Sequence, residues 1–198
     1  MQPWYQTLEE KIKKCKKCPL HTGRQNPVVG EGSLEAEVMF IGEAPGRWED
    51  IKGKPFVGQA GKLLDSLLQE AGLSRKEIYI TNVVKCRPPG NRDPRKAEIE
   101  ACRPYLDEQI IRIKPKIIVC LGRHSLKEVF RKAGLRPPRI TDARGKPVNA
   151  RVLGIPVIIL PTLHPAAALY NPNVKSLLQE DFKLLKALLK GASQKRLS

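Results

Sequence analysis

Acidic residues, aromatic rings and long apolar runs are all scarce in this chain of 198 residues. No apolar stretch reaches the roughly 18 residues that a membrane span requires, which excludes a transmembrane helix. The N-terminal MQPWYQTLEEKIKK lacks the apolar core of a secretory signal, so the expected location is cytoplasmic. Aromatic residues make up 5% of the chain, too few for the stacking platforms of single-strand nucleic-acid binders. Against 36 Lys and Arg stand only 20 Asp and Glu, a formal net charge of +16. That imbalance points to a polyanionic partner, with nucleic acid first and a membrane surface or ribosomal RNA behind it. The bland counterpart is a solvated basic surface of the kind some proteins from hot environments carry.

The hydrophobic share of 41% supports a folded chain, and the length suits one domain over residues 1–198 with one sizeable core. Residues 4–14 predict a short amphipathic helix with Trp4, Leu8 and Ile12 on one face. Residues 19–36 read as loop. Four short apolar runs follow: Val38 to Gly42, Ile78 to Val84, Ile117 to Leu121 and Val157 to Leu160. Each is β-branched and nearly continuous, as expected of strands covered on both faces. Helical patterns span 62–71, 94–113, 123–133 and 174–189, with Pro94 acceptable at a helix start. The alternation predicts an α/β fold: a three-layer α/β/α sandwich around a central, mainly parallel, four-stranded sheet. Residues 139–154 are expected to form a hairpin or an extended loop.

In such sheets ligands sit in the crevice beyond the carboxyl ends of the strands. That rule marks four places: Gly42–Gly46 (GEAPG), Asn82, Gly122-Arg123-His124 and the segment from Leu163 through Ala167. Four of the five cysteines also stand apart as a set. Cys15-x-x-Cys18 is a tight pair, and Cys86 and Cys102 are separated by fifteen residues. Four thiolates suit zinc or a [4Fe–4S] cluster, and spacing alone leaves both metals open. Buried structural cysteines and a redox CxxC are the competing readings. The redox motif normally opens a helix after a strand, whereas this one follows a helix among lysines. Cys120, inside IIVCL, reads as core.

GEAPG followed by Glu49-Asp50, Asn82 with CRPPGN, the HPAA segment and the four cysteines together resemble the family 4 uracil-DNA glycosylases. These are the iron–sulfur branch of the uracil-DNA glycosylase superfamily, frequent in thermophiles. The resemblance runs from about Cys15 to the last helix. Family 5 enzymes carry an apolar residue after the first glycine of the motif; Glu43 stands here. Family 1 carries a water-positioning aspartate where this chain has Ala44. The resemblance implies a [4Fe–4S] cluster on Cys15, Cys18, Cys86 and Cys102, bracing loops away from the reacting base. It also implies a monofunctional DNA glycosylase that flips uracil out and hydrolyses its N-glycosidic bond in base excision repair.

Uracil needs a flat face, hydrogen bonds along its edge and stabilisation of the charge that builds as the bond breaks. Phe56 resembles the stacking aromatic, although a core phenylalanine is the alternative. Asn82 can accept from N3–H and donate to O4, a fit that separates uracil from cytosine. His164 resembles the donor to O2 and is favoured over His21 and His124. The backbone of Glu43 and Ala44, beside Gly46, can approach the base closely. Glu43, Glu49 and Asn91 are the candidates for handling water. In HPAAALY, Pro165, Ala166 and Leu169 are expected at the DNA, with Leu169 or Tyr170 as the wedge that fills the flipped base's place. Arg87 and Arg92 are candidate phosphate contacts. The partner is uracil-containing DNA and the enzyme a monomer; residues 194–198 give only part of a sliding-clamp peptide. A non-catalytic iron–sulfur DNA-binding module is the alternative, and it would not need Asn82 and His164 at two strand ends. A redox carrier and a zinc nuclease fit less well.

Overall fold

The computed structural model describes residues 2–194. Among them one sheet of six strands runs through the molecule: β1 (Glu31–Gly32), β2 (Val38–Gly42), β3 (Tyr79–Asn82), β4 (Ile117–Leu121), β5 (Val148–Val152) and β6 (Ile155–Thr162). Their spatial order is β1-β3-β2-β4-β6-β5. The inner four strands are mutually parallel, with Phe40 paired to Ile80 on one side and to Val119 on the other. β4 pairs with β6 in the same sense. The four expected strands are therefore the parallel core, and the four-strand count is corrected by two antiparallel edges, β1 on β3 and β5 on β6. The β5–β6 turn settles the expected hairpin: Leu153 and Gly154 both have positive φ, 51° and 82°, the geometry that matches strand twist in a two-residue turn.

Seven α-helices surround the sheet among the described residues: α1 (Pro3–Lys13), α2 (Arg47–Lys52), α3 (Gln59–Glu70), α4 (Lys96–Ile113), α5 (Arg123–Lys132), α6 (Ile140–Ala143) and α7 (Pro172–Gln194). Side chains of a strand alternate between faces, and the core divides accordingly. Met39 and Ile41 of β2 pack with Leu8 and Ile12 of α1, Leu106 and Ile110 of α4 and Val129 of α5. Val38 and Phe40 face the other way, onto Leu64 and Leu67 of α3 and Leu178 and Phe182 of α7. This is the expected α/β/α sandwich. No described helix is long and apolar enough to cross a membrane. Residues 195–198, most of the C-terminal clamp-like peptide, lie outside the described residues.

Several element boundaries shift from the sequence expectation, and two of the shifts have a local cause. α4 begins at Lys96, not Pro94, because the Glu98 carboxylate accepts the Arg95 N–H at 2.7 Å and makes Arg95 the cap. β3 ends at Asn82; Val83 and Val84 turn away, their N–H groups donating to the carbonyls of Gly42 and Glu43 at 3.0 and 3.1 Å. That turn releases the Asn82 side chain at the carboxyl edge of the sheet. The order β3-β2-β4 also makes the junction of β2 and β4 a topological switch point, where a crevice opens.

Candidate active site

A cavity of about 350 Å³ opens at that carboxyl edge. The loop after β2 supplies Glu43, Ala44, Pro45 and Gly46, and α2 supplies Glu49. Asn82 reaches it from the end of β3, Asn91 and Arg92 from the following loop, and His164 and Ala166 from the segment after β6. Phe56 lies on the wall. Ten of the residues marked in the sequence as catalytic, base-binding or DNA-contacting thus converge on one cavity.

His164 is set by local chemistry. Its Nδ1 accepts the Ala166 N–H at 3.1 Å. The proton of the neutral ring therefore sits on Nε2, which becomes a donor. Burial pushes the ring's pKa down to about 4, against a smaller opposing pull from Glu49. The imidazole is neutral across the physiological range, although part of the residue faces the open cavity. Its ring stacks on Phe56, with centroids 5.6 Å apart and planes 26° from parallel. Gly122 permits this placement: at φ 94° it turns β4 into α5, and a Cβ there would meet the His164 Cβ at 3.2 Å.

Phe56 belongs to both of its readings. It is 6% exposed and packs in the core beside Leu64, yet its ring also lines the cavity. Its backbone sits at φ 51°, an uncommon conformation for a bulky residue. Glu49 holds that loop: Oε1 accepts the N–H groups of Val57 and Gly58 at 2.9 and 3.1 Å. Asn82 is 2% exposed. Gly42 gives its amide room, since a Cβ there would lie 2.4 Å from Asn82 Oδ1 and 2.8 Å from Phe56 Cζ.

The remaining expected residues divide. Arg87 donates from Nε to Asn91 Oδ1 at 2.7 Å, aiming the Asn91 amide. Arg92 is engaged within the protein: its guanidinium grips both oxygens of Glu98 at 2.9 and 2.6 Å. Pro165 is buried and Leu169 half-buried, whereas Tyr170 is 90% exposed.

Cys15, Cys18, Cys86 and Cys102 line a second, smaller cavity, with the cationic side chains of Lys17, Arg24 and Lys85 around it. Arg24 donates to Cys86 Sγ at 3.0 Å, and the Lys85 backbone N–H to Cys102 Sγ at 3.4 Å. Burial pushes the Cys102 thiol up to about 12. Cys120 is fully buried in β4. One loop serves both cavities: Lys85 and Cys86 line the second, Pro88, Asn91 and Arg92 the first.

Sequence reasoning passed over two features. Lys85 is 1% exposed, and its Nζ donates to Thr81 Oγ1 (2.6 Å), the Asn82 carbonyl (2.8 Å) and Gln109 Oε1 (2.7 Å), pinning the strand end that carries Asn82. Burial lowers its pKa to about 7. His124, set aside in favour of His164, stands beside Glu43 and Asp93. Its signal was available, because it follows a strand end at the crevice.

The fold and this site define a base-excising glycosylase of the α/β/α type, and comparison with known proteins agrees. The pattern of the Uracil DNA glycosylase superfamily matches residues 29–187. The chain is 55% identical over 182 residues to a Type-4 uracil-DNA glycosylase of Sulfurisphaera tokodaii, covering 91% of this chain and 83% of that one. It is 52% identical over 183 residues to the Type-4 enzyme of Saccharolobus solfataricus (92% and 85%) and 47% over 179 residues to that of Pyrobaculum aerophilum (90% and 91%). The chain belongs to the uracil-DNA glycosylase superfamily, in its family 4 branch.

Proposed function

We propose that this protein excises uracil from DNA by hydrolysing the N-glycosidic bond, leaving an abasic site for base excision repair. The observation that carries the reading is the neutral His164, its Nε2–H free to donate, stacked on Phe56 in the cavity that Asn82 enters. A base flipped from the duplex would lie against Phe56 with its edge towards the Asn82 amide. Asn82 accepts from N3–H and donates to O4; cytosine presents the opposite pattern and leaves the buried amide mismatched. As the C1′–N1 bond breaks, negative charge gathers on the departing base, and His164 Nε2–H donates to O2. A neutral donor aimed where charge develops is the arrangement that stabilises such a transition state.

The sugar becomes cationic in the same step. Glu43 and Asn91, both on the cavity wall, are the groups we assign to orienting water and stabilising that charge. Glu49, one oxygen of which is committed to Val57 and Gly58, is assigned instead to holding the Phe56 loop. Among the described residues no lysine lines the cavity. A Schiff-base mechanism uses a positioned amine, and the reading here is of a monofunctional enzyme that leaves the abasic site intact. Ala166 and the exposed Tyr170 face the DNA, with Tyr170 preferred over Leu169 as the wedge. The working location is the cytoplasm, on DNA.

Cys15, Cys18, Cys86 and Cys102 are proposed to hold a [4Fe–4S] cluster. A cavity ringed by four thiols and by Lys17, Arg24 and Lys85 suits a negatively charged, thiolate-bound group. The bound cluster supplies a rigid brace for the loop that also carries Asn91. Iron and sulfide content with visible absorbance, lost together in Cys86→Ser, tests this; stoichiometric zinc without iron contradicts it.

The test of the activity is the base released from duplexes containing a single U·G, T·G or C·G pair. Free uracil from the U·G duplex and no cytosine from the C·G duplex are expected, while the T·G duplex reports how the cavity treats the C5 methyl that Asn82 does not read. Release of cytosine overturns the assignment of Asn82, and release of no base overturns the glycosylase reading.

A further inference from the structure

Glu43 follows β2 and His124 follows β4, on opposite sides of the switch point where the cavity opens. His124 Nε2 lies 3.6 Å from Glu43 Oε2 and 3.3 Å from Asp93 Oδ2. Neither contact has hydrogen-bond alignment, so the nitrogen is buried without a hydrogen-bond partner while two carboxylates face it. We propose that His124 is a positioning residue for Glu43: its ring, set between Glu43 and Asp93, fixes the Glu43 carboxylate at the wall of the uracil cavity. This inference rests on the assignment of Glu43 given above.

Glu43 is half-buried and Asp93 exposed, and two carboxylates converging on one point repel, so positive charge beside them favours both ionised forms. Burial raises the Glu43 pKa and Asp93 pushes it the same way, while His124 and Arg123 pull it back down. Asp93 is held low: burial acts to raise it, but His124 and Arg123 outweigh that. Arg123 pairs with Asp93 from the outer side. The other charged or titratable groups on this cavity are Glu49, bound to the Phe56 loop, Arg92, bound to Glu98, and the neutral His164. Among the described residues, His124 is the basic side chain whose ring nitrogen lies beside the Glu43 carboxylate, at 3.6 Å.

A protonated Glu43 neither stabilises a cationic sugar nor accepts a hydrogen bond from water. The acid limb of the excision rate therefore follows Glu43 ionisation, and His124 sets where that limb falls. The experiment is a carbon-13 NMR titration of the Glu43 carboxyl in the full chain, paired with single-turnover uracil release across pH. Wild type, His124→Gln and His124→Lys are compared. His124→Gln is expected to raise the Glu43 midpoint by about one pH unit, a tenfold change in proton affinity, and to move the acid limb with it. His124→Lys restores the charge and returns both towards wild type. Coincident titrations of wild type and His124→Gln overturn the proposal, as does equal disturbance in Gln and Lys variants of unchanged thermal stability. If the titration shifts as expected but wild type releases no uracil, the electrostatic coupling stands and the glycosylase assignment fails.

Discussion

Gly42→Ala is a test of how tightly the cavity is built. The residue ends β2, every residue of which is buried, and its conformation strains no L-amino acid, so only space is at issue. The added methyl would lie 2.4 Å from Asn82 Oδ1 and 2.8 Å from Phe56 Cζ, against a practical lower limit of 3.0 Å. The Asn82 amide must then retreat by about 0.6 Å or rotate, while Phe56 is pressed from behind. Displacements approaching 1 Å in a positioned group cost up to about a hundredfold in rate, and overpacking of this kind costs about 1–3 kcal/mol in stability. We expect single-turnover uracil release to fall between tenfold and a hundredfold, with the fold and DNA binding retained. Gly23→Ala, whose methyl meets nothing within 4 Å, is the control. A Gly42→Ala enzyme that releases uracil at the wild-type rate would refute the placement of Asn82 and Phe56 around this strand end.

Three further outcomes follow from particular contacts. Arg92→Ala leaves the 3%-exposed Glu98 carboxylate without its guanidinium and should lower the midpoint of a denaturation experiment; a loss of DNA affinity alone, with stability unchanged, would make Arg92 a phosphate contact. His164 has its pKa lowered from 6.5 to about 4, so the unfolded chain binds the extra proton in that window. Its contribution to stability is complete above pH 6.5 and is lost as pH falls towards 4, which His164→Gln should abolish in a pH series of melting temperatures. Tyr170→Ala should slow uracil release from duplex by about tenfold and leave single-stranded substrate unaffected, with Leu169→Ala milder; the reverse order would move the wedge to Leu169.

The parts of the fold that were legible in the sequence are those with a physical signature of their own. VMFIG and IIVCL are buried on both faces and read as parallel strands without ambiguity. Glu31–Gly32 is two residues with no apolar signal, and its role as an edge depends on β3 being there to pair with it. VNARV shows only a weak alternation that becomes a strand through the turn at Leu153-Gly154. The site was legible because strand ends in an α/β sheet converge, so Glu43, Asn82 and His164 could be placed together without knowing any distance. What stayed hidden was pairing at a distance. Arg92 reads as a phosphate contact from its charge, and its pairing with Glu98 six residues on carries no sequence signal. Glu49 looks like a water-handling acid until its oxygen is found on the Val57 and Gly58 amides. His124 looks like an ordinary helix-start residue until Asp93, thirty-one residues earlier, is brought against it.

The most direct measurement is single-turnover release of free uracil from a U·G duplex by wild type, His164→Ala and Asn82→Ala, with DNA affinity measured on the same samples. Removing one positioned donor from such a site costs about a hundred- to a thousandfold. The account predicts release by wild type and losses of that order in both variants, at near-unchanged affinity for DNA. A wild-type protein that binds the duplex and releases nothing, or variants that release uracil as fast as wild type, would contradict it.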